Sequence, residues 1–284
     1  MENLDVQKVG SIFVYSEELG SFEFGYDHPY KPERAIKTYE LCNRYGVINF
    51  PWMTRLAPES LDITLLNLFH EPDYIRLLQV SSHGSVSLEA LERGLGTDDT
   101  PIIKGIYEWA LEVCGGTHSA IKRIVSGEAL VAFNSLGGFH HAMPGNAEGF
   151  CYINDIVIAI KDVLNSPADL KIAYIDIDAH HGNGVQHAFY DDPRVLVISL
   201  HESGETLYPW SGFETEIGEG DGKGYNINLP LQPGTDDEIY SFVFENAALP
   251  VLRKFDPDLI VAELGADALV SDPLTNLKLT NNGY

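Results

Sequence analysis

A buried strand that ends in acids and imidazoles constrains the fold of this chain most strongly. The apolar run Lys171-Ile-Ala-Tyr-Ile175 leads directly into Asp176-Ile-Asp-Ala-His180-His-Gly-Asn-Gly184. Side chains alternate between the two faces of an extended chain, so we expect Asp176, Asp178 and His180 on one face. Carboxylate oxygen and imidazole nitrogen are suitable ligands for a borderline first-row metal such as zinc. The sequence therefore predicts a metal site at the carboxyl end of a strand.

A third protein ligand is expected from a second strand-like run, Leu259-Ile-Val-Ala-Glu-Leu-Gly-Ala-Asp267. Parallel strands bring their carboxyl ends together, so Asp267 can reach Asp178 and His180. Three protein ligands with one position left to water are typical of a catalytic zinc site. The alternative for Asp267 is an ordinary helix N-cap.

Two adjacent histidines form a second candidate site. Gly137-Gly-Phe-His140-His141 is followed by Gly149-Phe-Cys-Tyr-Ile-Asn-Asp155. Adjacent histidines are rarely both core residues, because each imidazole needs its own hydrogen-bond partner. An imidazole held by a second polar group is a suitable base for a metal-activated water, and Asp176 and Asn183 could hold the two rings. A purely structural pair is the alternative.

The rest of the chain alternates between strand-like and helix-like segments, which predicts a largely parallel sheet flanked by helices. With 284 residues, of which 44% are hydrophobic, we expect one domain covering 1–284. His118 falls within a helical pattern and is expected to be a packed helix residue. The predicted strands are Ile12–Tyr15, Ala129–Phe133 and Val195–Ser199, and the predicted helices are 32–44, about 103–125 and Tyr152–Leu164; residues 203–224 are expected to form a long loop.

Composition limits the partners and the location of the protein. A net charge of -24 argues against direct nucleic-acid binding and would attract cationic substrates, although acidic solubility alone also explains it. There is no apolar stretch of about 20 residues, and Met1–Val6 lacks a basic and then apolar signal, so we expect a soluble cytoplasmic protein without a membrane partner. Cys42, Cys114 and Cys151 lack the paired spacing of a disulfide framework.

Together these motifs resemble the zinc-dependent histone deacetylases and their prokaryotic relatives, including the acetoin-utilisation deacetylases. The resemblance starts at His28-Pro-Tyr-Lys-Pro-Glu-Arg34, includes the histidine pair and the 176–184 segment, and ends at Gly265-Ala-Asp-Ala268. It implies an arginase/deacetylase-like α/β fold. It also implies a zinc-dependent amidohydrolase that removes an acetyl or longer acyl group from acyl-lysine or from an acetylated small amine such as an acetylpolyamine.

The resemblance further implies a role for each matching residue. Asp178, His180 and Asp267 would bind Zn²⁺, and His140 and His141, held by Asp176 and Asn183, would be catalytic. Gly149, Phe150 and Tyr208 would line the substrate tunnel, and Asp99 would hold the substrate backbone. A potassium or sodium ion would use Asp176, Asp178, His180, Ser199 and Leu200, and a second such ion would use Phe189, Asp192, Val195 and Tyr225.

One element of the family pattern is missing from the sequence. Relatives supply an oxyanion-stabilising tyrosine from a glycine-rich loop well after the third zinc ligand, and Tyr284 lies too early to match it. Loss of one oxyanion donor typically costs about 10²–10³ in rate, so we expect a weak catalyst. We also expect the domain to be C-terminally incomplete, with a remainder or another chain covering an open sheet edge.

Three functional hypotheses follow. The first is the zinc amidohydrolase, and the second is an arginase-like ureohydrolase with two manganese ions, which the histidine pair disfavours. The third is a catalytically weak or inactive binding protein that keeps the pocket and lacks the tyrosine.

Overall fold

The computed structural model describes residues 10–25, 27–167 and 169–284. The prediction about Met1–Val6 therefore concerns residues that lie outside the described part of the chain. Two compact units are present, one ending at Ser166 and the other beginning at Pro167. Among the described helices, none combines the length and the apolar character that a membrane crossing requires.

The first unit contains a three-stranded parallel sheet with the strand order β2-β1-β3. The central strand β1 is buried along its whole length and apolar after Ser11, as expected for a strand with a partner on either side. Ile12 of β1 pairs with Thr54 of β2 and with Ala132 of β3. The strands are β1 (Ser11–Val14), β2 (Met53–Leu56) and β3 (Val131–Asn134).

Six α-helices accompany this sheet in the described part of the first unit. Most of their starts follow from local chemistry: Ser16, Ser87 and Asn154 each accept a backbone N–H at a helix N-terminus, and Pro72 occupies a first helical turn. The long helix α5 buries its apolar face in the main core of this unit and packs against α6. The helices are α1 (Glu17–Gly20), α2 (Glu33–Arg44), α3 (Pro72–Ser81), α4 (Leu88–Glu92), α5 (Ile106–Val125) and α6 (Asp155–Leu164).

The second unit contains a four-stranded parallel sheet with the strand order β6-β5-β4-β7. All residues of β4 and β5 are buried, as expected for central strands of a parallel sheet. Asp176 at the end of β4 pairs with Ser199 of β5 on one side and with Glu263 of β7 on the other. The strands are β4 (Ile172–Asp176), β5 (Val195–Glu202), β6 (Asn226–Leu231) and β7 (Leu259–Glu263).

Three α-helices lie in the described residues of the second unit, and two of them are joined by an irregular turn. A π-helical turn, Phe244–Ala248, connects α8 to α9. Single turns of 3-10 helix lie at Gly220–Gly222 and Ala266–Ala268. The helices are α7 (Asn183–Phe189), α8 (Asp237–Val243) and α9 (Leu249–Phe255).

Most of the predicted elements are present, with two corrections. The prediction that 129–133 forms a buried strand is wrong in its burial: β3 is an edge strand of its sheet, and Val131 is 54% exposed. Helix α6 begins at Asp155 rather than at Tyr152, because the side chain of Asn154 accepts the Val157 N–H as an N-cap.

Candidate metal centre and histidine pair

Three predicted ligands converge in the second unit. The Nδ1 atom of His180 lies 2.7 Å from an Asp267 carboxylate oxygen and 3.1 Å from an Asp178 oxygen. One ligand atom from each side chain lies within 4.8 Å of the others. The Ala179 N–H donates to the other oxygen of Asp267 at 2.8 Å and so fixes this carboxylate. This arrangement of two acids and one imidazole can hold a metal ion.

The local backbone differs from the predicted extended geometry. Strand β4 ends at Asp176, and the next residues form turns: the Asp178 N–H donates to the Asp176 carboxylate, and the His180 N–H donates to that of Asp178. The prediction that one strand face carries Asp176, Asp178 and His180 is therefore wrong for Asp178 and His180, which lie outside the strand. The ligands meet because these turns redirect the side chains.

Asp267 reaches the other two ligands through strand register. Strand β7 pairs with β4, and the Ile177 N–H continues this pairing to the Glu263 carbonyl. The following glycine, Gly265, has no room for a side chain, because a Cβ there would overlap the Asp178 carboxylate. The N-cap alternative for Asp267 is wrong, since this residue lies inside the 3-10 turn and its carboxylate accepts the distant Ala179 N–H.

The electrostatics of the triad also favour a bound cation. Burial lowers the pKa of His180, but hydrogen bonds to Asp178 and Asp267 and their charges outweigh burial and raise the pKa to about 10. Burial and the charge of Asp178 raise the pKa of Asp267 to about 6, against the opposing effect of His180. Without a metal ion, a proton on His180 neutralises part of the negative charge of the two carboxylates. A divalent cation can replace this proton.

Asp176 and Asn183 lie close to the triad in sequence. The Asp176 carboxylate is fully buried and accepts the Tyr174 hydroxyl at 2.6 Å and the Asp178 N–H at 3.0 Å. Asn183 is the first residue of α7, and its backbone N–H donates to the His181 carbonyl. Their assignment as partners of the two adjacent histidines, His140 and His141, stays a prediction.

The two adjacent histidines lie in the first unit and contact each other. His140 and His141 are both buried, and their Nε2 atoms lie 3.1 Å apart, so one imidazole donates to the other. Gly149 lies directly against His141, where a Cβ would overlap the imidazole ring. Gly149 and Phe150 both have positive φ, 55° and 68°. The backbone at Gly149 therefore approaches the His141 ring more closely than a residue with a side chain at position 149 would allow.

The residues predicted to bind substrate lie in both units. Phe150 packs edge-on against His28 with ring centroids 5.0 Å apart, and the His28 imidazole bonds the Asp99 carbonyl at 3.0 Å. Asp99 itself is exposed. In the second unit the Tyr208 ring lies 6.4 Å from the ring of His180. The structure thus joins His28, Phe150 and Asp99 in one unit and Tyr208 with the triad in the other.

The residues predicted to bind monovalent cations lie on β4, β5 and α7 of the second unit and in nearby loops. The Ser199 hydroxyl bonds His201 Nδ1 at 2.8 Å, and Leu200 is buried beside it on β5. Three of the backbone carbonyls predicted for the second ion accept hydrogen bonds: Phe189 from the Asp192 N–H, Asp192 from the Val195 N–H and Tyr225 from the Val197 N–H. The assignment of both monovalent-cation sites stays a prediction.

A buried polar network beside the triad was not predicted from the sequence. The ring of His181 bonds Ser211 Oγ through Nδ1 and Gln186 Oε1 through Nε2. The amides of Asn226 and Asn228 donate to the same Gln186 oxygen at 2.7 and 2.8 Å. Alternation along β6 puts these two asparagines on one face, but only the tertiary structure places Gln186 opposite them.

The fold and the donor set define a class of protein: an α/β protein with a candidate metal centre at the carboxyl ends of parallel strands. Comparison with known proteins narrows this class. A family model described as a histone deacetylase domain matches residues 28–284. The chain belongs to this family, as the sequence motifs predicted.

Curated relatives support the same assignment. The chain is 40% identical over 277 residues to "Acetoin utilization protein AcuC" of Bacillus subtilis, covering 96% of this chain and 70% of that protein. It is 36% identical over 275 residues to "Histone deacetylase 9" of Arabidopsis thaliana, covering 96% of this chain and 63% of that protein. The chain thus spans roughly two thirds of the length of these relatives.

A solved structure supports the fold. The crystal structure of a histone deacetylase homologue from Aquifex aeolicus matches with a TM-score of 0.88 and 34% identity, over 96% of this chain and 73% of that one. The predicted arginase/deacetylase-like α/β fold, with parallel sheets flanked by helices, is therefore confirmed.

Proposed function

We propose that this protein is a zinc-dependent amidohydrolase that removes an acetyl or longer acyl group from acyl-lysine. The convergence of Asp178, His180 and Asp267 carries this proposal, together with membership of the histone deacetylase family. Two carboxylates and one imidazole fit zinc, which takes nitrogen and oxygen ligands and keeps an open position in catalytic sites. His180 would bind through Nδ1, the atom that faces both acids.

Each catalytic residue has a defined proton-transfer task in this proposal. A bound zinc ion would supply a Lewis acid for the amide carbonyl and would lower the pKa of a water molecule. His141 takes a proton as the water attacks, and a protonated imidazole of the pair then gives a proton to the departing amine. The Nε2–Nε2 contact of 3.1 Å supports a proton shared between His140 and His141. Cleavage of the C–N bond yields a carboxylate and a free amine.

The substrate is an acylated lysine in a protein or peptide, with an acetylated small amine as the alternative. Phe150 and Tyr208 would form apolar walls for the aliphatic stem of the substrate, and Gly149 would leave space for it. The exposed Asp99 carboxylate would accept backbone N–H groups of a peptide substrate. A panel of acetylated peptides, acetylpolyamines and longer acyl-lysines would rank these substrates by kcat/KM.

Potassium or sodium ions would stabilise the loops around the metal centre. The first ion would bind Asp176, Asp178, His180, Ser199 and Leu200, and the second Phe189, Asp192, Val195 and Tyr225. Oxygen ligands of this kind suit a hard cation. Thermal unfolding at equal ionic strength in potassium chloride and in choline chloride tests this proposal: we expect a higher Tm in potassium, and equal Tm values would contradict it.

Metal analysis and a fluorogenic acetyl-lysine assay test the main proposal. We expect one zinc per chain and deacetylation that is lost in Asp178→Asn and Asp267→Asn, each of which removes a ligand charge. Asp221→Asn, an exposed acid of the same unit, is the matched control and should keep both zinc and activity. Two manganese ions per chain would favour the ureohydrolase, and acetyl-lysine binding without turnover would favour the binding protein; either result overturns the proposal.

A further inference from the structure

Asp155, the first residue of α6, has a buried carboxylate that accepts hydrogen bonds from helix α5 and from the segment before His140. It is 1% exposed and accepts the Phe139 N–H at 2.8 Å and the Gly138 N–H at 3.1 Å. The Thr117 hydroxyl donates to the same carboxylate at 2.5 Å. Burial of a charge is costly unless hydrogen bonds compensate for it, and these donors provide that compensation. The carboxylate therefore fixes the two residues immediately before His140.

The same interaction extends to the end of β3. Asn134 donates through Nδ2 to the Thr117 hydroxyl at 2.8 Å and accepts the Leu136 N–H at 3.2 Å. Gly137 lies between these groups, and a Cβ there would lie 2.5 Å from Thr117 Oγ1 and 2.6 Å from Asp155 Oδ2. The segment from Asn134 to His140 is thus held by side chains from helices α5 and α6.

Asn154 holds the other side of the histidine pair. Its Nδ2 donates to the Ala142 carbonyl at 3.1 Å, and its Oδ1 accepts the Val157 N–H at 3.0 Å. Its backbone N–H donates to Nε2 of the buried His70 at 3.0 Å. The Asn154 carbonyl accepts the Ile158 N–H, so all four hydrogen-bonding groups of Asn154 are used, and its Nδ2 group fixes the residue immediately after His141.

We propose that Asn154 and Asp155 are positioning residues for the proposed reaction: together they hold the backbone on both sides of His140 and His141 and so set the orientation of the two imidazoles. This inference rests on the proposed function. The N-terminus of α6 thereby fixes the backbone of residues 138–142, which we call the histidine turn. A misplacement of about 1 Å in a catalytic group can cost about 100-fold in rate, so the loss of these hydrogen bonds should have a measurable effect.

The test uses Asp155→Asn, Thr117→Val and Asp162→Asn in the full chain. Asparagine at 155 has almost the same shape but no charge, and valine at 117 removes one hydroxyl donor. Asp162→Asn is the matched control, because Asp162 lies on the same helix and has hydrogen bonds to His118 and Lys122 instead. Thr117→Ser, which restores the hydroxyl, is the conservative variant.

Two measurements separate positioning from simple stabilisation. Steady-state kinetics on an acetyl-lysine peptide should show kcat lower by about 10- to 100-fold in Asp155→Asn, with KM unchanged. Thr117→Val should show a smaller loss, which Thr117→Ser restores, and Asp162→Asn should keep the wild-type kcat. In the metal-free protein, hydrogen–deuterium exchange at the Gly138 and Phe139 amides should be faster in Asp155→Asn and unchanged in Asp162→Asn.

Wild-type kcat together with unchanged amide exchange in Asp155→Asn and Thr117→Val would overturn the inference. If Asp155→Asn does not fold, Thr117→Val decides by the same two readouts. A wild-type protein without deacetylase activity would instead overturn the proposed function, and the exchange measurement would still decide whether Asp155 holds the histidine turn.

Discussion

Three histidines show how the surroundings of a residue set its chemistry. His180 lies between two carboxylates, and their hydrogen bonds and charges overcome burial and raise its pKa to about 10. His70 lies in an apolar core, where burial lowers its pKa to about 4. His118 on α5 contacts the half-buried Asp162 on α6 at 2.8 Å, which confirms the prediction of a packed helix residue. One residue type thus serves as a metal-ligand candidate, a neutral acceptor and a contact between two helices.

Metal binding should release a proton from His180. The pKa of about 10 means that this imidazole is protonated at pH 7 without metal, whereas a metal ligand must be neutral. Raising the pH therefore favours binding, and we expect the apparent zinc affinity to rise by up to about tenfold per pH unit between about pH 6 and pH 10, where His180 is protonated and Asp267 is not. Competition titrations with a zinc chelator at several pH values measure this slope. A pH-independent affinity, once the chelator's own protonation is subtracted, would argue against a protonated His180.

Acid should destabilise the protein through His70. Its folded-state pKa of about 4 lies below the unfolded value of 6.5, so the unfolded chain binds more protons as the pH falls below 6.5. The stabilisation is fully present above pH 6.5 and is lost towards pH 4. Between pH 7 and pH 5 we expect this residue to account for a loss of about 2 kcal/mol in the free energy of unfolding.

Urea unfolding of the wild type and of His70→Gln at both pH values measures this contribution. Glutamine keeps an acceptor for the Asn154 N–H but does not titrate. The variant should be less sensitive to acid than the wild type, whereas His83→Gln, at an exposed position, should behave like the wild type. Equal acid sensitivity in all three proteins would rule out His70 as the cause.

At the scale of elements, apolar runs predicted strands and prolines predicted helix starts. The apolar runs before Asp176 and before Asp267 became paired strands, and parallel pairing explains how residues so far apart in sequence meet. Pro32 and Pro72 mark helix starts, as expected from their fixed φ. The exposure of β3 could not be predicted, because an apolar run does not reveal whether its strand is central or at an edge.

The candidate site was predictable only in part, because several of its contacts join segments that are distant in sequence. Residue type and strand ends predicted which side chains form the triad. The roles of Asp155 and Gln186 depend on backbone N–H groups and amides contributed by distant segments, and no local pattern encodes such contacts. The turns after Asp176 were missed because their side-chain to backbone bonds compete with an extended conformation.

Helix α5 contains a glycine, Gly115, whose replacement by alanine should lower stability, whereas helix propensity alone predicts an increase. Alanine at a helix interior position normally stabilises by about 0.5–1 kcal/mol relative to glycine. At Gly115, however, a Cβ would overlap the backbone carbonyl of Glu59. We expect Gly115→Ala to lower the free energy of unfolding by about 1–3 kcal/mol, as overpacking does.

Chemical denaturation of Gly115→Ala beside Ser119→Ala, on the same helix, measures this effect. Ser119→Ala should change stability little. A Gly115→Ala protein as stable as the wild type, or more stable, would mean that the Glu59 segment moves aside at no cost.

At the scale of the whole molecule, charge is the dominant property. The chain carries 42 acidic and 18 basic residues, which gives the formal net charge of -24. A field of this sign concentrates cationic ligands near the surface and acts over the Debye length, about 30 Å in 0.01 M salt and about 8 Å in 0.15 M salt. Substrates with different charges should therefore respond differently to salt.

We expect salt to weaken catalysis only for cationic substrates. For an acetyl-lysine peptide flanked by lysines, kcat/KM should fall by about tenfold from 0.01 M to 0.15 M salt, because screening removes the long-range attraction. The same peptide flanked by serines is the control and should change little. Parallel salt curves for the two peptides would mean that the charge serves solubility alone.

The π-helical turn Phe244–Ala248 has a consequence for the comparison of related chains. A π turn contains one residue more than an α turn, so it rotates the phase of the following helix by about 100°. In this chain Leu252 and Phe255 of α9 consequently lie against the core of the second unit. A homologue with a single-residue gap at this turn would continue as a regular α-helix and keep that apolar stripe against the core, whereas a homologue of equal length without the π turn would direct the stripe elsewhere.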